Sequence, residues 1–197
     1  MRTRSRHAAG AGGFTLIDMV IVMALMVTLA AVAVPELRDS VDGMRLGMAT
    51  RDVERELERA RLTAVSSNRP MRVRFDCPAA GELRVVELIG SPQTPDPADS
   101  AANRCDESLY PYRANGGDAN RLTRPNNDGP VRILQPDTTF AASQTLEFWP
   151  DGSVHADTSG TNPWPPLGNT GATITLSRKG QTRNITVNAL GKIQMDR

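Results

Sequence analysis

The chain has 197 residues, 39% of them hydrophobic and only 4% aromatic, with a formal net charge of +1. That length leaves room for one modest globular domain beside an N-terminal segment. So small a net charge excludes a general nucleic-acid binder, and so few aromatic residues exclude a stacking platform or a large aromatic core.

The charge is unevenly placed. Arg2, Arg4 and Arg6 stand in the first 13 residues with no acid among them, and taking these three from 23 bases leaves 20 against 22 acids. Behind this basic leader runs Phe14–Val34, 21 residues interrupted by a single charge, Asp18. At ~1.5 Å per residue the run makes about 31 Å of helix, the thickness of a bilayer core. The small residues Ala11, Gly12 and Gly13 precede the run, whereas a cleaved secretory signal carries its small residues after it. Cleavage at that point leaves the apolar helix on the mature chain. The arginines predict a cytoplasmic N-terminus and put the bulk of the chain across the membrane. An ordinary single-pass anchor satisfies the same topology. Asp18 asks for more, because an ionised carboxylate in hydrocarbon costs about 2.5–3.5 kcal/mol at mid-helix and needs a partner.

The segment Gly13-Phe14-Thr15-Leu16-Ile17-Asp18 resembles the processing site of type IV prepilins and pseudopilins, whose usual motif reads Gly-Phe-Thr-Leu-Ile-Glu. The resemblance implies cleavage between Gly13 and Phe14 by a prepilin peptidase at the cytoplasmic side of a bacterial inner membrane, and N-methylation of Phe14. It further implies a filament of pilins or pseudopilins in which the Asp18 carboxylate neutralises the terminal ammonium of a neighbouring subunit. Losing either charge of such a pair strands the other in low dielectric. Asp18 departs from the usual glutamate; it keeps the charge with one methylene less reach.

Pro35 follows the apolar run directly. A proline inside a helix removes a hydrogen bond and kinks it, and pilin-like proteins commonly carry a helix-bending proline at this place. Apolar residues then recur as Leu37, Val41, Met44 and Met48, and as Val53, Leu57, Ala60 and Ala64. Both sets run i, i+4, i+7, i+11, which predicts an amphipathic helix over 35–69 with this stripe against a sheet. Gly43 and Gly47 each weaken that helix by ~1 kcal/mol relative to alanine. From Arg51 to Arg61 the charges alternate in sign, with Arg51/Glu54, Arg55/Glu58 and Glu58/Arg61 three residues apart on a solvated face. The helix should stop near Ser66-Ser67-Asn68-Arg69-Pro70, since a residue before proline is biased out of helix.

Past Pro70 the period changes to two. Met71, Val73 and Phe75 alternate with Arg72, Arg74 and Asp76, a half-buried strand, and Leu83–Ile89 follows as its hairpin partner. Residues 90–130 are rich in Pro, Asp, Asn and Gly and read as a long surface loop. Strands resume at Val131–Leu134, Thr145–Trp149 and Ser153–Ala156, the last two joined by a Pro150-Asp151-Gly152 turn. After an irregular stretch, Thr158–Gly171, the chain ends in three short strands, Ala172–Ser177, Arg183–Asn188 and Lys192–Met195. One long helix followed only by strands is α+β. The organisation is then a leader (1–13), a membrane helix (14–34), an amphipathic helix (35–69) and a periplasmic antiparallel β-sheet domain (70–197).

Three downstream segments, Leu57–Pro70, Leu146–Gly152 and Ile185–Ile193, resemble the GspH/FimT group of minor pilins and pseudopilins. The group implies either a minor pseudopilin of the type II secretion apparatus, within a periplasm-spanning filament, or a minor type IV pilin, in some members implicated in DNA uptake. Arg178, Lys179, Arg183 and Lys192 make a local basic patch able to hold phosphates. DNA is a partner this patch allows without favouring. DNA-binding members of the group carry a C-terminal Gly-Arg-x-Arg motif, and here Gly191-Lys192-Ile193-Gln194 has a lysine without the bidentate fork and no second arginine.

Cys77 and Cys105 suffice for one disulfide in an oxidising periplasm, or stand as two separate thiols. Ser153, His155 and Asp157 alternate along one strand, whereas hydrolytic triads converge from separate elements, so a surface histidine is the expectation. Asn126-Asn127-Asp128-Gly129 has oxygens suited to calcium but lacks the spacing of an EF-hand loop and reads as a turn. Neither a cofactor motif nor a metal-ligand spacing appears, and the third reading, a membrane-tethered periplasmic enzyme, is the least supported.

Overall fold

The computed structural model describes residues 15–112, 127–158 and 160–196. They fall into two compact units, the first ending at Val41 and the second beginning at Asp42. A single helix, α1, runs Leu16–Ser67 and supplies residues to both. Pro35 lies inside it, and the helix continues through the proline. From Leu16 on, the described part of the first unit is helical with its apolar side chains exposed; its apolar stretch is long enough to cross a membrane and has no buried residue.

In the second unit the strands form two antiparallel sheets. The five-stranded sheet has the order β3-β2-β1-β5-β6, from β1 (Met71–Phe75), β2 (Glu82–Glu87), β3 (Arg132–Ile133), β5 (Leu146–Phe148) and β6 (Val154–Ala156). The four-stranded sheet has the order β4-β7-β8-β9, from β4 (Thr138–Ala142), β7 (Ala172–Arg178), β8 (Gln181–Val187) and β9 (Ile193–Met195). Turn chemistry explains the hairpins. Lys179 and Gly180 both have positive φ, 45° and 85°, and make the two-residue turn between β7 and β8. The Pro150-Asp151-Gly152 turn closes with Gly152 N–H donating to the Trp149 carbonyl at 2.9 Å.

Both sheets share one core. Leu46, Ala49, Val53, Leu57, Ala60 and Ala64 of α1 meet Met71, Val73, Leu146 and Phe148 of one sheet and Ile174, Leu176, Ile185 and Val187 of the other. Each fully buried Leu, Ile, Val or Phe contributes roughly 1.5–3 kcal/mol. The helix ends as the sequence requires: Asn68 has φ +53°, and Arg69 N–H returns to the Ala64 carbonyl at 3.2 Å.

Three expectations need correction. Only the second apolar set of α1 packs on the sheets; Leu37, Met44 and Met48 are exposed, and Leu46, Ala49 and Thr50 take the inner face instead. Both sets have helical spacing, but the second is out of phase with the first, so the face of one cannot be the face of the other. Residues 90–130 are not merely surface loop, where described. They hold a short helix, α2 (Pro97–Ser100), a 3-10 turn (Ala102–Cys105), and the buried Asp99, Arg104, Cys105 and Asp128. Strand β4 has no clear signal in the sequence, because Thr138-Thr139-Phe140-Ala141-Ala142 alternates poorly and carries a bulge between Phe140 and Ala142.

Candidate functional site

The first site lies at the start of α1. Asp18 Oδ2 accepts from the Thr15 backbone N–H at 3.0 Å and from the Thr15 hydroxyl at 2.7 Å, while Asp18 N–H faces Thr15 Oγ1 at 3.3 Å. The carboxylate thus closes the first turn, where the free N–H groups and the helix dipole favour an anion. Gly13 and Phe14 lie outside the described residues.

The second site is a junction. Arg61 of α1 donates from Nη2 to the Leu190 carbonyl at 3.2 Å. Gly191 has φ +73°, and a Cβ placed there would lie 2.7 Å from Arg61 Nε and 2.9 Å from the Gly152 carbonyl oxygen. The helix, the Pro150-Asp151-Gly152 turn and the β8–β9 turn therefore meet at one point that only glycine permits. The three segments singled out downstream in the sequence come together here. Gly191 is held by packing, and Lys192 beside it is exposed.

The basic patch does not form as expected. Arg178 is buried, with Nε on Asp42 Oδ1 at 3.0 Å, Nη2 on the same oxygen at 2.9 Å, and Nη1 donating to the Pro136 carbonyl. Lys179 lies 3.6 Å from Asp42 and 3.7 Å from Asp137. The hydrogen bond from Arg178 holds the Asp42 carboxyl below its ordinary value, against the upward push of desolvation and with help from Lys179. Arg183 and Lys192 remain exposed. A cation needed to hold an internal aspartate is not offered to phosphate.

Residues 49–191, nearly three-quarters of the chain, match the family described as "Type II transport protein GspH". The chain belongs to the GspH family. No curated protein matches it. Among solved structures, the type IV minor pilin FimU of Pseudomonas aeruginosa is similar in two crystal forms. In the first the TM-score is 0.44 at 17% identity, covering 77% of this chain and 93% of FimU. In the second it is 0.44 at 16% identity, covering 77% and 88%. The family match begins at Ala49, so the motif at residues 13–18 lies outside it.

In this GspH-family domain the feature least visible in the sequence is a layer of arginines on the outer face of the five-stranded sheet. Arg72 is buried against Glu147, with Nε and Nη2 on Oε1 at 3.0 and 2.5 Å, and its guanidinium lies 4.1 Å from the Trp164 ring centre. Arg74 donates to the Ala101 carbonyl at 2.6 Å. Arg84, its cross-strand neighbour, donates to the carbonyls of Gly129 at 2.8 Å and Tyr110 at 2.5 Å. Burial lowers the affinity of both Arg74 and Arg84 for their protons. Arg104 grips Asp128 with two nitrogens, at 2.5 and 2.8 Å, and the Glu87 carbonyl at 2.7 Å. The described stretches 88–112 and 127–129 are thus fastened by guanidinium groups capping their carbonyls, and the Cys77–Cys105 disulfide, with 5.6 Å between Cα atoms, ties the first of them to the end of β1. Arginine at the outward positions of β1 and β2 was the signal, since five donors in a fixed fork suit irregular backbone.

The remaining expectations resolve locally. Asp128 is committed to Arg104 and to the Glu87 N–H, Asn126 lies outside the described residues, and no group of three metal-ligating side chains occurs among the described ones. Ser153 and His155 do touch, Oγ to Nε2 at 2.9 Å, but Asp157 turns away to accept from Gly160 N–H at 2.8 Å. The carboxylate nearest the serine is Asp151, whose Oδ1 accepts a hydrogen bond from the hydroxyl at 2.6 Å. A triad needs that hydroxyl to give its proton to the imidazole.

Proposed function

We propose that this protein is a minor pseudopilin, a structural and non-catalytic subunit of the pilus-like filament of a type II secretion system. In this reading a prepilin peptidase cuts between Gly13 and Phe14, Phe14 is methylated, and the helix stays in the inner membrane with the sheet domain in the periplasm. The observation that carries the reading is the presence in one chain of an exposed apolar helix with Asp18 in its first turn and a GspH-family domain. Asp18 has a local partner in Thr15, so its charge is already hydrogen-bonded before a neighbouring ammonium arrives, and the filament contact adds a counter-ion.

Arg178 and Lys179 are engaged with Asp42 and Asp137, which weighs against the alternative of a DNA-uptake minor pilin. Sequencing the N-terminus of the native polypeptide tests the assignment: it should begin at a methylated Phe14. A native chain that retains its arginine-bearing leader overturns it. Asp18→Ala should be processed normally yet co-purify poorly with partner subunits; unchanged co-purification removes the proposed role of the carboxylate.

A further inference from the structure

The hydrogen bonds around His155 leave little freedom in where its protons lie. The ring is buried on the outer face of β6 and stacks flat on Trp149, with centroids 3.6 Å apart and planes 6° apart. Nδ1 lies 2.8 Å from the Trp164 carbonyl oxygen, which can only accept. Nε2 lies 2.9 Å from Ser153 Oγ, whose single proton is directed to Asp151 Oδ1 at 2.6 Å. Asp151 also accepts from Ser153 N–H at 2.9 Å, and these bonds hold it in the ionised form, below its ordinary value. It has no proton to give. For all three contacts to be hydrogen bonds at once, the serine oxygen receives from Nε2 while Nδ1 donates to Trp164, a pattern that needs a proton on each ring nitrogen.

We propose that His155 is a proton-operated clasp. Doubly protonated, it ties the Pro150–Ser153 turn, through the Ser153 hydroxyl, to the segment around Trp164. When Nε2 loses its proton it becomes an acceptor, the Ser153 hydroxyl swings to it, and the Ser153-to-Asp151 side-chain bond is lost. Asp151 then keeps the Ser153 N–H bond alone, and the turn is otherwise closed by the backbone bonds between Trp149 and Gly152 and Ser153. Gly152 in that turn packs at the Arg61–Gly191 junction, so the clasp sets how firmly the junction is held.

The charges facing the ring are few. Asp151 comes from the turn. Glu147 is the cross-strand neighbour on β5; its Oε1 is taken by Arg72 of β1 and its Oε2 accepts from Trp149 Nε1 at 3.2 Å. Residues 158–171 contain no ionisable side chain. The imidazolium lies on the indole face, where a cation is favoured.

The test uses full-length protein in detergent micelles, labelled with 15N-histidine and carrying His7→Gln so that His155 is the one remaining histidine. In mildly acidic buffer both ring nitrogens should show a bonded proton. On raising the pH the Nε2 proton should be lost and the Nδ1 proton kept. Amide exchange at Gly152 and Ser153, corrected for intrinsic rate, should quicken over the same interval. Ser153→Ala, which leaves the ring in place, should exchange at the faster rate in both buffers. An unprotonated Nε2 in the acidic buffer overturns the proposal, as does turn exchange that is the same in both buffers or that still changes in Ser153→Ala.

Discussion

On its inner face the five-stranded sheet turns Met71, Val73, Leu146, Phe148 and Val154 to the core; on its outer face it turns Arg72, Arg74, Arg84, Glu147 and His155 to the segments that cover it. The inner face is held by area removed from water, which is non-directional and tolerates change of shape within limits. The outer face is held by directed donors on carbonyls and carboxylates, where each group depends on a particular partner. A sheet can therefore be covered on both sides without two apolar faces, provided the covering chain is irregular and rich in carbonyls to be capped.

The largest effects should come from removing one element of each face. Phe148→Ala should cost about 3–5 kcal/mol as lost transfer energy and cavity. Asp128→Asn should cost about the same, roughly 3–5 kcal/mol, by leaving Arg104 buried beside a neutral partner. Denaturant unfolding measures both. The distinction is that Asp128→Asn should also release the covering segment, seen as faster amide exchange from Leu88 to Gly129, whereas Phe148→Ala should not single that segment out. Equal exchange patterns would erase the contrast drawn between the faces.

Replacing both Cys77 and Cys105 by serine should cost roughly 3–4 kcal/mol, the loop-closure entropy of a 28-residue separation. Non-reducing against reducing thermal melts of the unaltered chain provide the same test. Gly191→Ala should cost about 1–3 kcal/mol, because the left-handed backbone and the nearby Arg61 and Gly152 both resist a Cβ. The smallest effect concerns pH. The folded value of Asp42 lies below its ordinary one, so its contribution is complete above the ordinary carboxylate range and disappears as pH falls through the lowered folded value. Melting temperature followed into acid should show this loss in the wild type, and a shallower fall in Asp42→Asn.

Much of the fold was legible because its causes are local. Period two in Met71–Phe75, the Lys179-Gly180 turn and the stop at Asn68–Pro70 each depend on a few consecutive residues. The second apolar set of α1 read correctly for the same reason. The first set misled because Leu37, Met44 and Met48 have the right spacing but are exposed. Spacing reports that a face exists and not what meets it. Arg178 misled in a related way: as a sequence it is a cation beside Lys179, and in the fold it is the buried partner of Asp42, 136 residues earlier. The junction of Arg61, Gly152 and Gly191 was visible only as three separate segments of family resemblance.

Sequence by itself determined the membrane-length helix with its lone Asp18, the α+β order and most strand positions, since these follow from composition, periodicity and the backbone demands of Gly and Pro. Tertiary structure alone decided which helix face is covered, which arginines are buried and which groups the His155 ring nitrogens meet. Those depend on partners distant in the chain, such as Glu147 for Arg72 across 75 residues. A charge carries no mark of whether it will meet water or a counter-ion until the fold brings one to it.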